Sequence, residues 1–140
     1  MTQKYIVGDI VEYDNKVMVV KEPRDGSHFD LSCQKEALVY CFVGVDKVRP
    51  VRITPEILEK NGWKKEVMSR GVKNSHLVYT KPDIEEYGYF PIYIEKGIGD
   101  EFDVYPFTDN NVCTQIAYIK YVHQLQHLLF GLGINHEMEV

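Results

Sequence analysis

The sequence predicts an α+β protein in which strands dominate, and three observations carry that reading. Short runs rich in β-branched and aromatic residues recur along the chain, separated by turns built from Gly, Asn, Asp and Pro. The stretch Thr54 to Gly62 has the start and stop signals of one short helix. Near the C-terminus, Val122, Leu125, Leu129 and Leu132 fall on one side of a helix as a continuous apolar stripe. The expected arrangement is a single domain over 1–140: a mainly β lobe over 1–53, a short helix over 54–62, antiparallel strands over 63–118, and a helix over 119–132 that covers the sheet.

The elements follow in order. Ile10 to Tyr13 and Val17 to Val20 are β-branched runs around the hairpin turn Asp14-Asn15-Lys16, with Gly8-Asp9 as the entry turn. Pro23 to Lys35 reads as a loop or irregular excursion with one short strand at most. Ala37 to Val45 reads as a buried strand that Gly44 ends or bulges, and Val48 to Ile53 as a further extended segment around Pro50. Thr54 is an N-cap, Pro55 suits the first helical position, Glu56 favours the positive helix end, and Asn61-Gly62 stops the helix. Trp63 then packs as a core anchor. His76 to Thr80, Tyr89 to Glu95, Glu101 to Phe107 and Val112 to Tyr118 read as strands of an antiparallel meander, with Ile92 and Ile94 on its apolar face. The last helix begins near Ile119 or Lys120, and Glu137 to Val140 is a short return strand or a frayed tail.

Composition narrows the class. The 140 residues are 44% hydrophobic and 26% charged, with 10 Gly and 6 Pro, which excludes a disordered tail, a collagen-like repeat and a coiled coil. A chain of this length buries roughly two-thirds of its unfolded surface, enough for a core without metal or disulfide staples. No apolar run approaches the roughly 18 residues that cross a bilayer. The opening MTQKYIVGDIVEYD lacks the apolar run of a secretory signal, so a cytoplasmic protein is expected. Cys33, Cys41 and Cys113 form no CxxC pair and read as reduced thiols, Cys41 and Cys113 as small buried hydrophobes.

Charge is unevenly spread. From Lys47 to Lys73 eight basic residues face three acidic ones, and from Asp83 to Asp109 eight acidic residues face only Lys96. Solvated faces explain such blocks, as do complementary protein contacts or a nucleic-acid face. Within the basic block, Arg49, Arg52, Lys64 and Lys65 are candidate phosphate contacts and Trp63 a candidate stacking platform. Ten tyrosines serve a protein-contact surface equally well.

Two segments carry a resemblance. VRPVRITPEILEKNGW and the terminal IKYVHQLQHLLFGLG resemble a family of small uncharacterised proteins from prophages and mobile elements of gut Bacteroidales, and the opening GDIVEYDNKVMVV is similar to that family's start. The chain departs from the pattern at His127, where Asn is expected, and at Gly131-Leu132-Gly133, where an Ala-Leu-Thr-Gly-like ending is expected. The resemblance implies a genomic setting and no activity. Separately, the first hairpin looks like part of a small SH3-like barrel, so the first lobe is expected to be SH3-like or a simple β-hairpin; the analogy does not assign a function.

His123 and His127 are four residues apart and therefore share a helix face, as in zinc-binding helices. Gln124 stands where a metalloprotease would carry Glu, and further ligands would have to come from His76, Cys113, His136 or an acidic side chain. The competing reading has His123, Gln124 and Gln126 hydrogen-bonding along the helix edge. Ser27 lacks a nucleophile elbow, the pairs Glu85-Glu86 and Asp100-Glu101 read as solvation, and Gly97-Ile98-Gly99 is a turn. These readings converge on a non-catalytic binding or accessory protein that works through protein contacts or self-association. No cofactor, metal or membrane is expected, and the alternative is nucleic-acid binding through Lys47 to Lys73.

Overall fold

In the computed structural model, the described residues are 5–69, 75–81, 92–96, 101–106 and 117–140. They form two antiparallel five-stranded sheets and two α-helices, a mixed α+β fold that ends in a helix and a short tail. The chain divides into two compact units. One joins Met1–Arg52 to Tyr121–Val140, and the other is the continuous stretch Ile53–Lys120.

In the first unit, β1 (Ile10–Tyr13), β2 (Lys16–Asp25), β3 (His28–Cys33), β4 (Val39–Gly44) and β5 (Arg49–Pro50) lie in the order β4-β3-β2-β1-β5. Asp14 and Asn15 adopt φ values of 53° and 59°, which closes the β1–β2 hairpin as a tight turn that Asp and Asn tolerate. Val11 pairs with Met18 and Val20 with Leu31, so apolar residues meet across the strands. With Phe29, Val43 and Val48 they make one buried cluster. Consecutive strand residues face opposite sides, and Ile10 and Val11 are both fully buried, so β1 is covered on both.

Two expectations change in this sheet. The Pro23 to Lys35 region is not a loop: β2 continues to Asp25 and β3 follows after a two-residue turn. Pro23 is accommodated because the β2–β3 register slips on either side of it, and a bulge removes the need for a ladder N–H. The run Ala37 to Val45 is not buried. Its strand, β4, is a sheet edge that exposes Val39, Cys41 and Phe42 and buries only Val43.

In the second unit, α1 (Pro55–Lys60) starts as expected, with Thr54 Oγ1 accepting from the Ile57 amide at 3.2 Å. It ends at Gly62, φ 88°, with the Trp63 amide donating to the Leu58 carbonyl at 3.0 Å, the double-bonded stop that a left-handed glycine permits. Leu58 and Trp63 are buried. The strands β6 (Lys64–Ser69), β7 (Ser75–Thr80), β8 (Ile92–Lys96), β9 (Phe102–Pro106) and β10 (Ala117–Ile119) form a meander in sequence order. Ile92 and Ile94 face its core with Phe102 and Val104. The charged strand β6 had no counterpart in the sequence reading. The anticipated strand residues Tyr89 to Pro91 and Val112 to Ile116 lie outside the described residues, as do Cys113, Glu85-Glu86, Gly97-Ile98-Gly99 and Asp100.

The C-terminal helix, α2 (Val122–Gly131), starts later than the apolar pattern suggests, because Ile119 is spent in β10 and Tyr121 is the cap. The Tyr121 amide donates to Gln124 Oε1 at 3.0 Å, satisfying a group that the helix leaves open. Val122, Leu125 and Leu129 are buried, whereas Leu132 lies past the helix end and is partly exposed. α2 packs on the N-terminal sheet through β1. The tail is neither a strand nor frayed: Met138 is buried, and its carbonyl accepts from Gln34 Nε2 at 2.9 Å.

Candidate functional site

Beside its apolar stripe, α2 presents His123, Gln126 and His127. Gln126 is fully buried and bonds at both ends of its amide. Its Oε1 accepts from the Ile10 amide at 2.9 Å, and its Nε2 donates to the carbonyls of Gly8 at 2.8 Å and His136 at 3.2 Å. One side chain thus ties together the entry turn, the helix and the tail. Gly8 adopts φ 95°, which suits a residue without Cβ and leaves its carbonyl available to Gln126.

Asp9, the next residue, is 0% exposed. Its Oδ2 accepts from the Ile6 amide at 2.8 Å and contacts His127 Nε2 at 2.7 Å, while its Oδ1 is buried without a hydrogen-bond partner among the described residues. Burial pushes the carboxyl above the ordinary aspartate range, against the lowering effect of the Ile6 amide and His127. Asp9 fixes the His127 ring, whose side chain remains 34% exposed.

His123, one turn earlier, is buried and its Nδ1 also lacks a hydrogen-bond partner among the described residues. Tyr5 lies tilted against its ring at 5.0 Å between centroids, Tyr121 stacks at 5.9 Å, and His127 stands edge-on at 5.5 Å. Burial, helped by the neighbouring His127, holds its pKa down to about 4.

The two histidines are therefore neighbours, as their spacing predicts, but they do different work. His127 uses Nε2 on Asp9, and among the described residues no group of three or more His, Cys, Asp or Glu side chains is placed to hold a metal ion. An Asp–His pair can orient an imidazole and carry a proton, yet catalysis also needs a reacting group beside it. The hydrogen bonds of the junction join Asp9, Gln126 and His127 to backbone groups and to one another, a structural use of polar side chains. The sequence reading missed Asp9, which stands 118 residues from His127.

The basic candidates are divided. Arg49 and Arg52 are exposed in the first unit, and Lys64 and Lys65 are exposed on β6 in the second. Trp63 is 2% exposed, so it serves as the core anchor and offers no stacking face.

A different feature stands out on β4. Between the pairs Phe29–Val43 and Leu31–Tyr40, Cys41 and Phe42 together oppose Asp30, a β-bulge. Phe42 takes φ 57°, unusual for a bulky residue, and its amide donates to Asp30 Oδ1 at 2.9 Å. Asp30 is buried and also accepts from Arg24 Nε at 2.9 Å. The Phe42 ring stacks on His28, with centroids 4.2 Å apart and planes 11° from parallel, and is 58% exposed. Beside it Val39 is 62% exposed.

Comparison of the chain with protein-family models, curated proteins and solved structures gives no match.

Proposed function

We propose that this chain is a non-catalytic binding or accessory protein, in the phage or mobile-element setting that the sequence resemblance implies, and that it acts by pairing β4 with an extended apolar segment of a partner protein. The observation that carries the reading is the exposed β4 edge, where Phe42 is held outward in a strained conformation by the buried Asp30. Edge strands offer backbone groups to a partner strand, natural proteins usually blunt them with charge, and strained residues recur at binding sites. Residues Val39–Gly44 carry no charge. The 3-10 turn at Val45–Lys47 followed by β5 pairing to β1 supports a small SH3-like lobe as the scaffold.

The test places a photo-crosslinking residue at Cys41 in producing cells, with Phe42→Lys on the same background. The proposal expects one recurrent adduct that maps to an extended apolar segment, is reproduced with the purified pair, and is lost with Phe42→Lys. Adducts to the chain itself would make the partner a second copy. Adducts that Phe42→Lys leaves unchanged contradict the proposal. The alternative, nucleic-acid binding, rests on the exposed Arg49, Arg52, Lys64 and Lys65. It would replace the first reading if duplex or single-stranded nucleic acid bound in a salt-dependent way and neutralising those four residues abolished binding.

A further inference from the structure

We propose that the junction of the entry turn, α2 and the tail is an acid-sensitive clasp: protonation of His123 opens it and frees the segment from Tyr5 to Asp9 from the helix. The geometry carries this. His123 is enclosed by two phenol rings and a second imidazole, and its Nδ1 has no hydrogen-bond partner among the described residues. The carboxylate of the junction, Asp9, spends its Oδ2 on His127 and the Ile6 amide, and its Oδ1 makes no hydrogen bond to His123. A proton on His123 thus creates a buried charge with no hydrogen-bonded counterion, and the structure relieves it by letting water in.

The titratable and charged groups around it come from every adjoining element among the described residues. Tyr5 and Asp9 belong to the N-terminal segment, Tyr121 and His127 flank His123 along the chain, and His136 of the tail acts on Asp9. The second imidazole opposes a proton on His123.

The direction follows from proton counting. His123 is held at about 4 in the closed state and returns to its ordinary value near 6.5 when exposed, so the open state binds the extra proton between those limits. Asp9 acts in the opposite direction, because its raised pKa favours the closed state as it protonates. His123 therefore sets the upper part of the window, and Asp9 limits opening at its lower end.

Amide hydrogen exchange of the whole chain tests the clasp, with each rate corrected for the intrinsic effect of pH. The amides of Ile6, Gly8 and Ile10, which bond Asp9, Val20 and Gln126, report on it. Their opening equilibrium should rise about 20-fold from pH 7 to pH 5, the change expected of one such proton, while β8 and β9 amides hold steady. His123→Phe should remove that rise. An unchanged rise in His123→Phe overturns the proposal, as does a rise shared equally by β8 and β9. If the variant does not fold, titration of the His123 ring by NMR in the unaltered protein decides. A ring that stays neutral until the same three amides open supports the clasp, and a ring that titrates near 6.5 with those amides still protected overturns it.

Discussion

Among the described residues the two units have the same number of strands and the same antiparallel ladders, yet they bury different chemistry. All four buried polar or charged residues among the described ones, Asp9, Asp30, His123 and Gln126, lie in the first unit. Among its described residues the second buries Leu58, Trp63, Tyr79, Ile92, Ile94, Phe102 and Val104. Apolar burial is non-directional and scales with area, so these side chains are ordered mainly by pattern and volume. A buried amide or carboxyl must find specific partners, and a half-satisfied one is costly, so the first unit's polar groups select one arrangement of turn, helix and tail.

The largest effects should separate the units by size alone. Trp63→Ala is expected to cost about 3–5 kcal/mol and Leu125→Ala about 2–5 kcal/mol, each read by chemical denaturation with probes in both units. A Leu125→Ala change below about 0.5 kcal/mol would show that the helix stripe bears no core. The difference between the units sharpens with Gln126→Leu. A similar volume is kept, but the Ile10 amide and the Gly8 and His136 carbonyls lose their partner, at a cost of about 2–4 kcal/mol. In the second unit an exchange of one buried aliphatic for another, Ile94→Leu, should cost less than about 1.5 kcal/mol.

Among the described residues, the acid response should come from the junction of the first unit. The His123 pKa near 4 lies below the ordinary value, so this group's contribution is complete above pH 6.5 and is lost as pH falls towards 4. Full loss is on the order of 3 kcal/mol, and Asp9, shifted the other way, offsets part of it at the acid end. Denaturation of the unaltered protein and of His123→Phe across that range should differ in slope by up to one proton. The smallest effect belongs to the second unit's helix cap, where Thr54→Ala should cost about 1 kcal/mol with no dependence on pH.

Much of the fold is legible in the sequence because it rests on local signals. The Asp14-Asn15 hairpin, the Thr54-Pro55 start, the Asn61-Gly62 stop and the inward Ile92 and Ile94 depend on residues within one turn or one strand of each other. What was hidden depends on distant partners. Pro23 signals a loop unless the neighbouring strand slips to receive it. The run from Ala37 to Val45 looks buried because hydropathy cannot say which strand is the edge, and that same edge is the proposed binding site. β6 is masked by its lysines, which an edge strand carries at little cost. The histidine pair was visible, and its spacing left a metal site and hydrogen bonds along the helix edge as competing readings, but it could not show that Asp9 gives the two rings separate environments. Gly8-Asp9 read as a turn and nothing more, since a carboxylate's burial is decided by the helix that packs on it.

Directional polar contacts fix the helix to the turn in the first unit, and the Asp9–His127 contact offers the sharpest test of that role. A double-mutant cycle with Asp9→Asn and His127→Gln, measured at pH 7.5 by chemical denaturation, isolates that pair. The account predicts a coupling of about 1–2 kcal/mol, the range of a hydrogen bond to a charged group that is partly screened by solvent. A coupling indistinguishable from zero, with the single variants simply additive, would mean that the helix is held by its apolar stripe alone and would contradict the distinction between the units.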